Sequence, residues 1–304
     1  MDIHDLTVFA AAARHGSVTK AAHSLSTVQS NVTTRIRLLE AELKVQLFRR
    51  HHRGITLTEK GQLLLPYAQQ MLSLVEHAKA AVSDSGDVRG TLQIGALQST
   101  ASARLPDVLK IYAARHSQVD IGVETGTSAE LVAKVLESRL DGAFVSGFED
   151  HPELDVVASF VEELVIITPA PYRSVNEYLR QSALPKLLVF KSGCHYRQRL
   201  EWYLGGEGIS VLSPMEFGTI DGIVGCVAAG LGISMLPRSV IERSARRKDL
   251  AIHKLGKPHR YVETQFVTHK AQVQSLALSR LIDVVVSQRA GRTGTARAGA
   301  RAAR

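Results

Sequence analysis

The sequence predicts a multidomain α+β protein: a small N-terminal domain of helices with one hairpin, a long linker helix, and a larger C-terminal α/β domain of two lobes. Apolar residues recur at steps of three and four over residues 3–78. Helix-like and strand-like patterns alternate over residues 91–288. The chain has 304 residues, of which 45% are hydrophobic, so it can form more than one core.

Three short helices are predicted at the N-terminus. The apolar residues of 3–13 are spaced as on one face of a helix, which should end at Gly16. Ser17 is a good N-cap for a second helix. Thr27 is expected to cap a third helix that continues to about Leu43.

The second and third helices should cross closely. Ala21 and Ala22 are small enough to allow a close approach, and Val28, Val32 and Ile36 should form the inward face of the third helix. This arrangement predicts a helix-turn-helix.

A hairpin and a long helix follow. The basic run 49–53, Gly54 and the alternating "ITLT" indicate a short projecting hairpin, or wing. Thr58 should cap the long helix. Its apolar stripe contains Leu64, Tyr67, Ala68, Met71, Leu74, Val75 and Ala78. A helix between two domains has little core of its own to cover, so we expect this stripe to face a partner chain.

The C-terminal region should form a clamp. "TLQIGAL", "VDIGVETG" and "DGAFVSG" are predicted strands that alternate with helices, which indicates a βαβαβ unit with a parallel sheet. A second α/β set follows, and the last strand and helix are expected to rejoin the first lobe. Two lobes connected more than once are typical of a domain that closes around a small ligand.

These patterns give the domain boundaries. The prediction is 1–58 for the winged helix-turn-helix, 59–88 for the linker helix and hinge, 89–288 for the two-lobed domain, and 289–304 for a basic, disordered tail. Lobe I is expected at about 89–161 and 267–288, and lobe II at about 162–266.

The positive charge is concentrated at the two ends. Residues 1–60 contain 9 Lys/Arg and 5 Asp/Glu, residues 289–304 contain 5 Arg and no acid, and the whole chain has a net charge of +8. The residues between them carry 23 basic and 24 acidic side chains. An end of the chain is therefore expected to bind a polyanion.

The residues quoted above resemble a known family. "FAAAARHGSVTKAAHSLSTVQSNVTTRIRLLEAELKVQLFRRHHRGITLTEKG" is similar to the DNA-binding region of LysR-type transcriptional regulators, and "DGIVGCVAAGLGISMLP" resembles part of their effector domain. The resemblance extends over about Ile3 to Gln288. It implies a winged helix-turn-helix, a dimerising linker helix and a periplasmic-binding-protein-like effector domain. It also implies a homotetramer, built as a dimer of dimers, on partly palindromic operators.

The third helix has a polar face that predicts DNA contact. Gln can form two hydrogen bonds with adenine, and Ser or Thr can bond base edges or phosphate. The expected DNA-binding residues are Lys20, Gln29, Ser30, Asn31, Thr33, Thr34, Arg35 and Arg53. The alternative is that the polar face of the helix is merely solvated. For an arginine of the wing, the alternative is that its charge only serves surface solubility. The preceding helix, the basic wing and the resemblance favour DNA.

One position departs from the family pattern. The family most often has a Gln-Pro pair at the start of this helix and Ser one turn later, whereas this chain has Ser30 after Gln29, and then Thr33. The resemblance therefore does not imply an operator sequence.

The effector site is expected where strands end and helices begin, because backbone donors there point into the cleft. The candidate residues are Gln98, Ser99, Thr100, Thr127, Ser128, Ser192, Cys194 and Thr219. This neutral, hydroxyl-rich set suits a carboxylate or another small anion. Helix capping is the alternative for each hydroxyl, and convergence on one cleft rests on the resemblance.

Cys194 raises a second possibility. It follows "KSG", close to where peroxide-sensing members of the family carry a reactive cysteine, and a thiol beside His195 and Arg197 could have a lowered pKa. Cys226 lies in an apolar segment and is expected in the core. A pocket-lining or inert Cys194 is favoured over a redox switch, which stays open.

Other classes of protein fit less well. A transport-type solute receptor would lack the helix-turn-helix and would need an export signal, which "MDIHDLTVFAAAARHG" does not resemble. An enzyme would need a catalytic set, and the sequence has no nucleotide-binding glycine loop, metal cluster or Ser-His-Asp order. No apolar run approaches the roughly 20 residues that cross a bilayer.

The sequence therefore predicts a cytoplasmic, non-enzymatic regulator with reduced thiols and no metal or cofactor. Its expected partners are double-stranded operator DNA, a small-molecule effector, further copies of itself in dimers and tetramers, and RNA polymerase if it is an activator. No membrane is expected among the partners.

Overall fold

The computed structural model describes residues 1–52, 54–81, 88–147, 150–182, 184–209, 213–272 and 274–298. The helices are α1 (Ile3–His15), α2 (Val18–Ser24), α3 (Gln29–Leu43), α4 (Glu59–Ala81), α5 (Gln98–Ala103), α6 (Leu105–Arg115), α7 (Ser128–Leu136), α8 (Val175–Gln181), α9 (His195–Gly206), α10 (Ile220–Ala228), α11 (Arg238–Glu242) and α12 (Leu276–Ala298). The strands are β1 (Phe48–His51), β2 (Gly54–Leu57), β3 (Gly90–Ala96), β4 (Val119–Thr125), β5 (Gly142–Ser146), β6 (Leu154–Pro169), β7 (Lys186–Val189), β8 (Pro214–Glu216), β9 (Gly232–Pro237), β10 (Leu250–Lys254) and β11 (Tyr261–His269).

Local capping explains most of the N-terminal helix boundaries. The Ser17 side chain accepts a hydrogen bond from the Lys20 N–H at the start of α2, which confirms the predicted cap. The prediction that Thr27 caps α3 is wrong, because Val28 is the N-cap residue and gives no side-chain hydrogen bond. The Thr27 hydroxyl instead accepts a hydrogen bond from the Asn31 amide at 2.9 Å.

The first three helices share one core with the wing. Val32 and Ile36 of α3 are buried as predicted, but Val28 is 64% exposed, because it precedes the helix and does not share its inward face. Phe9 of α1 packs against Phe48 of β1, with ring centroids 5.4 Å apart. The helix-turn-helix is therefore held by contacts between its helices and the wing.

The wing is an antiparallel hairpin in which β1 pairs with β2. Its second strand is fixed to the turn between α1 and α2, because the Ile55 N–H donates to the Gly16 carbonyl at 3.0 Å. Gly54 has a φ of +138°, a conformation that favours glycine. Arg53, which is predicted to contact DNA, lies outside the described residues.

The linker helix α4 begins at the predicted cap, since the Thr58 hydroxyl accepts a hydrogen bond from the Gly61 N–H at 3.0 Å. The prediction that its whole apolar stripe faces a partner is wrong in part. Ala68 is fully buried in the N-terminal core, because α4 packs against α1. A second row remains exposed and contains Leu63, Tyr67, Met71 and Leu74.

The C-terminal domain is built on one nine-stranded sheet. Its order is β4-β3-β5-β11-β6-β9-β7-β8, and β10 also pairs with β6. The first three strands are parallel as predicted, whereas β11 is antiparallel to both β5 and β6. The predicted lobe boundaries fall inside β6 and β11, so these two strands run through both lobes.

Several elements differ from the sequence prediction. The first predicted helix of the C-terminal domain is divided into α5 and α6 at Arg104, which lies in neither helix. The helices α8 and α11 and the strand β10 carry no clear sequence pattern and were not predicted.

The end of the chain also differs. The helix α12 continues to Ala298 and so includes residues 289–298, which were predicted to belong to a disordered tail. Residues 299–304 lie outside the description. Within the described ranges, none of the helices is both long and apolar enough to cross a membrane.

Candidate functional site

The first candidate site is the exposed face of α3. Gln29, Ser30 and Thr34 are exposed and Thr33 is partly exposed, so four predicted contacts share one accessible surface. The Thr19 hydroxyl of α2 donates to the Gln29 side-chain oxygen at 3.2 Å. This bond orients the Gln29 amide at the start of α3. Lys20 is exposed close by, on α2.

Arg35 has a different environment from the one predicted. Its guanidinium lies 3.1 Å from the Asp5 carboxylate and 3.4 Å from that of Asp2, both contributed by the start of the chain. Arg35 follows Val32 by three residues and therefore lies toward α1, away from the exposed polar face. It joins α3 to α1, and its contact with DNA stays a prediction. Asn31 is also engaged locally, with Thr27.

The second candidate site is a cavity of ≈ 250 Å³ between the lobes of the C-terminal domain. Four predicted residues line it: Gln98, Ser99, Thr127 and Cys194. The lining also includes Leu97, Thr125, Gly126, Glu130, Ser146, Phe190, Lys191, His195, Tyr196, Phe217 and Gly218.

Four other predicted residues do not line the cavity, because each has a local role or position. Thr100 is fully buried, and the Ser128 hydroxyl donates to the Ser146 carbonyl at 2.8 Å. The Thr219 hydroxyl caps α10 by accepting from the Gly222 N–H. Ser192 is exposed in the turn before α9.

Four helices begin at the cavity. Leu97 is the N-cap of α5, Thr127 is the N-cap of α7, Cys194 is the N-cap of α9, and Gly218 immediately precedes the N-cap of α10. Helix N-termini carry partial positive charge and unpaired backbone donors. Lys191 adds a full positive charge to the same lining.

Glu130 is the acidic residue of the lining, and its carboxylate is already engaged. It accepts a hydrogen bond from the Thr127 N–H at 2.9 Å, which completes the capping box of α7. This hydrogen bonding, with a smaller contribution from Lys191, lowers the pKa of the Glu130 carboxyl. The cavity therefore combines one committed carboxylate with several groups that attract anions.

Sequence reasoning missed most of the larger lining side chains. Phe190, Lys191, His195 and Tyr196 all belong to the segment "FKSGCHYR", from which only Ser192 and Cys194 were chosen. Burial and the nearby Arg199 lower the pKa of His195, so its ring is expected to be neutral at pH 7.

The environment of Cys194 does not favour an activated thiol. Burial raises the pKa of Cys194, although the backbone N–H groups of Arg197 and Tyr196 act in the opposite direction. The lowered pKa that the neighbouring basic residues suggested is therefore wrong in direction. A thiol with a raised pKa forms less thiolate at neutral pH and reacts more slowly.

A buried polar network lies behind the cavity. The Tyr196 hydroxyl is 3.0 Å from the Ser99 hydroxyl and 3.4 Å from the Glu162 carboxylate. Glu162 is 3% exposed and also accepts a hydrogen bond from Thr264 at 3.0 Å. The Arg104 guanidinium lies 3.5 Å from the same carboxylate. Because Glu162 and Thr264 belong to β6 and β11, this network joins the cleft to the strands that connect the lobes.

The described parts of the chain contain no group of three or more His, Cys, Asp or Glu side chains placed to hold a metal ion. His51 and His52, the adjacent pair in the wing, have ring centroids 6.4 Å apart.

Comparisons with known proteins agree with this architecture. Residues 3–62 match the model for the bacterial regulatory helix-turn-helix protein of the lysR family, and residues 85–290 match the model for the LysR substrate binding domain. The HTH-type transcriptional regulator YusT of Bacillus subtilis (strain 168), itself uncharacterized, is 41% identical over 283 residues, which cover 93% of this chain and 95% of that protein. The HTH-type transcriptional regulator GltR of the same strain is 39% identical over 282 residues, with the same coverage.

Solved structures share the fold. A full-length OxyR variant from Pseudomonas aeruginosa aligns with a TM-score of 0.69 at 19% identity and covers 94% of each chain. Full-length CbnR in complex with its target DNA aligns with a TM-score of 0.67 at 22% identity and covers 94% of this chain and 99% of that chain. The two family models together match most of the sequence, and the relatives are transcriptional regulators rather than enzymes. The chain thus belongs to the LysR family and is a DNA-binding transcriptional regulator with a substrate-binding effector domain.

Proposed function

We propose that α3 enters the major groove of an operator and that Gln29, Ser30, Thr33 and Thr34 contact its bases. The support is their shared exposure on one face of the second helix of a helix-turn-helix. Lys20 contacts a phosphate, and Arg53 of the wing enters the minor groove. A gel-shift assay with the DNA upstream of the chain's own gene tests the proposal, and absence of a specific complex there and with other candidate operators would contradict it.

The exposed row of α4 supports self-association. Leu63, Tyr67, Met71 and Leu74 follow one another at steps of three and four, as on a single helix face. In a dimer, this face packs against its counterpart in a second copy, and two dimers form the tetramer. The pairing would then set the distance between the operator half-sites.

The effector is proposed to be a small organic anion bound in the interlobe cavity. One observation carries this proposal: four helix N-termini and Lys191 meet at a cavity of ≈ 250 Å³. Backbone donors at helix starts bind carboxylates and phosphates without a dedicated cation, and Lys191 strengthens the attraction. A thermal-shift screen of organic acids, followed by calorimetry, would identify the ligand.

The Lys191→Ala variant should bind the anion found in that screen with a dissociation constant about tenfold higher, because one charge-assisted hydrogen bond is lost. Titration calorimetry measures the change. Lys110→Ala provides the control, since Lys110 is exposed on α6 and does not line the cavity. Equal affinities of the Lys191 and Lys110 variants would contradict a role for Lys191 in anion binding.

Effector binding acts on DNA through the arrangement of the subunits. A ligand that contacts both lobes favours the closed clamp, and the clamp then changes the relative position of the paired DNA-binding domains. The expected outcome is altered DNA bending, with a smaller change in affinity. If this arrangement activates transcription, RNA polymerase is the further partner.

Redox sensing through Cys194 is the alternative within the family. The raised pKa of the Cys194 thiol disfavours this alternative. We expect Cys194→Ser to leave operator binding unchanged both in reductant and after treatment with hydrogen peroxide. Cys226→Ser is the matched control, because Cys226 is also partly buried. A peroxide response that is present in the wild type and lost only in Cys194→Ser would establish the switch.

A further inference from the structure

The polar network behind the cleft fixes the direction of its hydrogen bonds. The Glu162 carboxylate can only accept hydrogen bonds, and it is 3% exposed, so bulk solvent has little access to it. Thr264 donates to it at 3.0 Å, the Tyr196 hydroxyl lies 3.4 Å away, and Arg104 contributes positive charge at 3.5 Å. The Thr264 and Tyr196 hydroxyls therefore act as donors to this carboxylate, and Arg104 balances its charge.

The direction in which the Tyr196 hydroxyl donates its hydrogen bond determines the direction in which the Ser99 hydroxyl donates. A tyrosine hydroxyl has a single proton. If it pointed to Ser99, an oxygen lone pair of Tyr196 would face the buried carboxylate, which is unfavourable where the local dielectric is low. With the proton directed to Glu162, the Tyr196 oxygen accepts from the Ser99 hydroxyl at 3.0 Å. The proton of Ser99 is then committed to Tyr196.

We propose that Ser99 presents only oxygen lone pairs to the cleft, so that the effector carries a hydrogen-bond donor, a hydroxyl or an ammonium group, in addition to its anionic group. Hydroxy acids and amino acids fit this requirement better than unsubstituted acids. Tyr196 and Glu162 are positioning residues, since they act through Ser99. This inference rests on the proposed binding of an organic anion in the same cavity.

The test compares matched acids that differ in one substituent. Succinate, malate and aspartate share a four-carbon skeleton, and corresponding sets with three, five and six carbons extend the panel. Calorimetry on the full chain should show that the hydroxy or amino acid binds about tenfold more tightly than its unsubstituted counterpart, the equivalent of one hydrogen bond. The ratio of the two dissociation constants is the readout, because a general loss of stability would change both affinities together.

Two variants should reduce this ratio to about threefold or less, as expected when that hydrogen bond is lost. Tyr196→Phe releases the Ser99 proton, which can then donate to an unsubstituted acid. Ser99→Ala removes the acceptor itself. Thr264→Val is the control, because it removes another donor to Glu162 and leaves the contact between Tyr196 and Ser99 in place. This control should keep the wild-type ratio.

The outcomes separate the two proposals. Three outcomes would overturn the inference and leave the anion site in place. The wild type could prefer the unsubstituted acids, or Tyr196→Phe could leave the ratio of dissociation constants unchanged. Thr264→Val could also reduce this ratio as much as Tyr196→Phe does. If neither substituted nor unsubstituted acids bind to the cavity, the proposed function of the site fails, and the inference fails with it.

Discussion

The Gln29→Ala variant is expected to bind the operator about 10- to 100-fold more weakly, which corresponds to the loss of one two-point contact with a base. Its affinity for duplexes of unrelated sequence should change little, because that affinity comes from phosphate contacts. Gln29 is exposed at the start of α3, and Thr19 orients its amide. Fluorescence anisotropy with operator and scrambled duplexes, at the same salt concentration, measures both affinities.

Gln118→Ala is a suitable control for this experiment, because Gln118 is exposed in the effector domain. It should bind both duplexes like the wild type. An equal loss of affinity for operator and scrambled DNA in Gln29→Ala would contradict base recognition and would indicate a phosphate contact or a disturbed helix.

The Gly54→Ala variant should lose DNA affinity for a different reason. Gly54 has a φ of +138°, and a Cβ at this position would lie 2.4 Å from the Gly16 carbonyl oxygen. The Gly16 oxygen belongs to the backbone and the Cβ has a fixed position, so no side-chain rotation relieves the contact. We expect the N-terminal domain to lose about 2–3 kcal/mol of stability. The wing should move, and the affinity for both operator and scrambled DNA should fall.

Thermal unfolding and DNA binding measured on the same preparation test this prediction. Gly256→Ala is the control, because a Cβ there meets nothing within 4 Å. Effector binding should be retained in both variants, since the wing lies outside the C-terminal domain. Unchanged stability and unchanged DNA binding in Gly54→Ala would show that the wing tolerates a different backbone at this position.

Much of the DNA-binding domain was predictable because its determinants are local. Ser17 and Thr58 cap the helices that follow them, and the small residues at the helix crossing are visible in the sequence. Features that depend on tertiary contacts were not predictable. The sequence does not show that Arg35 is turned toward the carboxylates of Asp2 and Asp5, because those residues are some thirty positions away.

The position of the effector cleft was predictable from the sequence, but the residues that line it were less so. Thr127 and Cys194 were found because they precede helices, but the same criterion also selected Thr219, which does not line the cavity. Lys191 and Tyr196 gave no separate signal, since a lysine and an aromatic residue near a helix start are common. Their role depends on how lobe II packs against lobe I, which is set by long-range strand pairing.

The connection between the lobes has a mechanical consequence. Since β6 pairs with β11 over its first part and with β9 and β10 over its second, the hinge consists of hydrogen-bonded strands. Such a hinge is stiff: it can bend and twist only slightly without breaking backbone hydrogen bonds, whereas a loop could swing freely. The strands that connect the two lobes therefore deform elastically. An effector that shifts them by a small distance works against an elastic restoring force, which returns the domain to its resting shape once the ligand leaves.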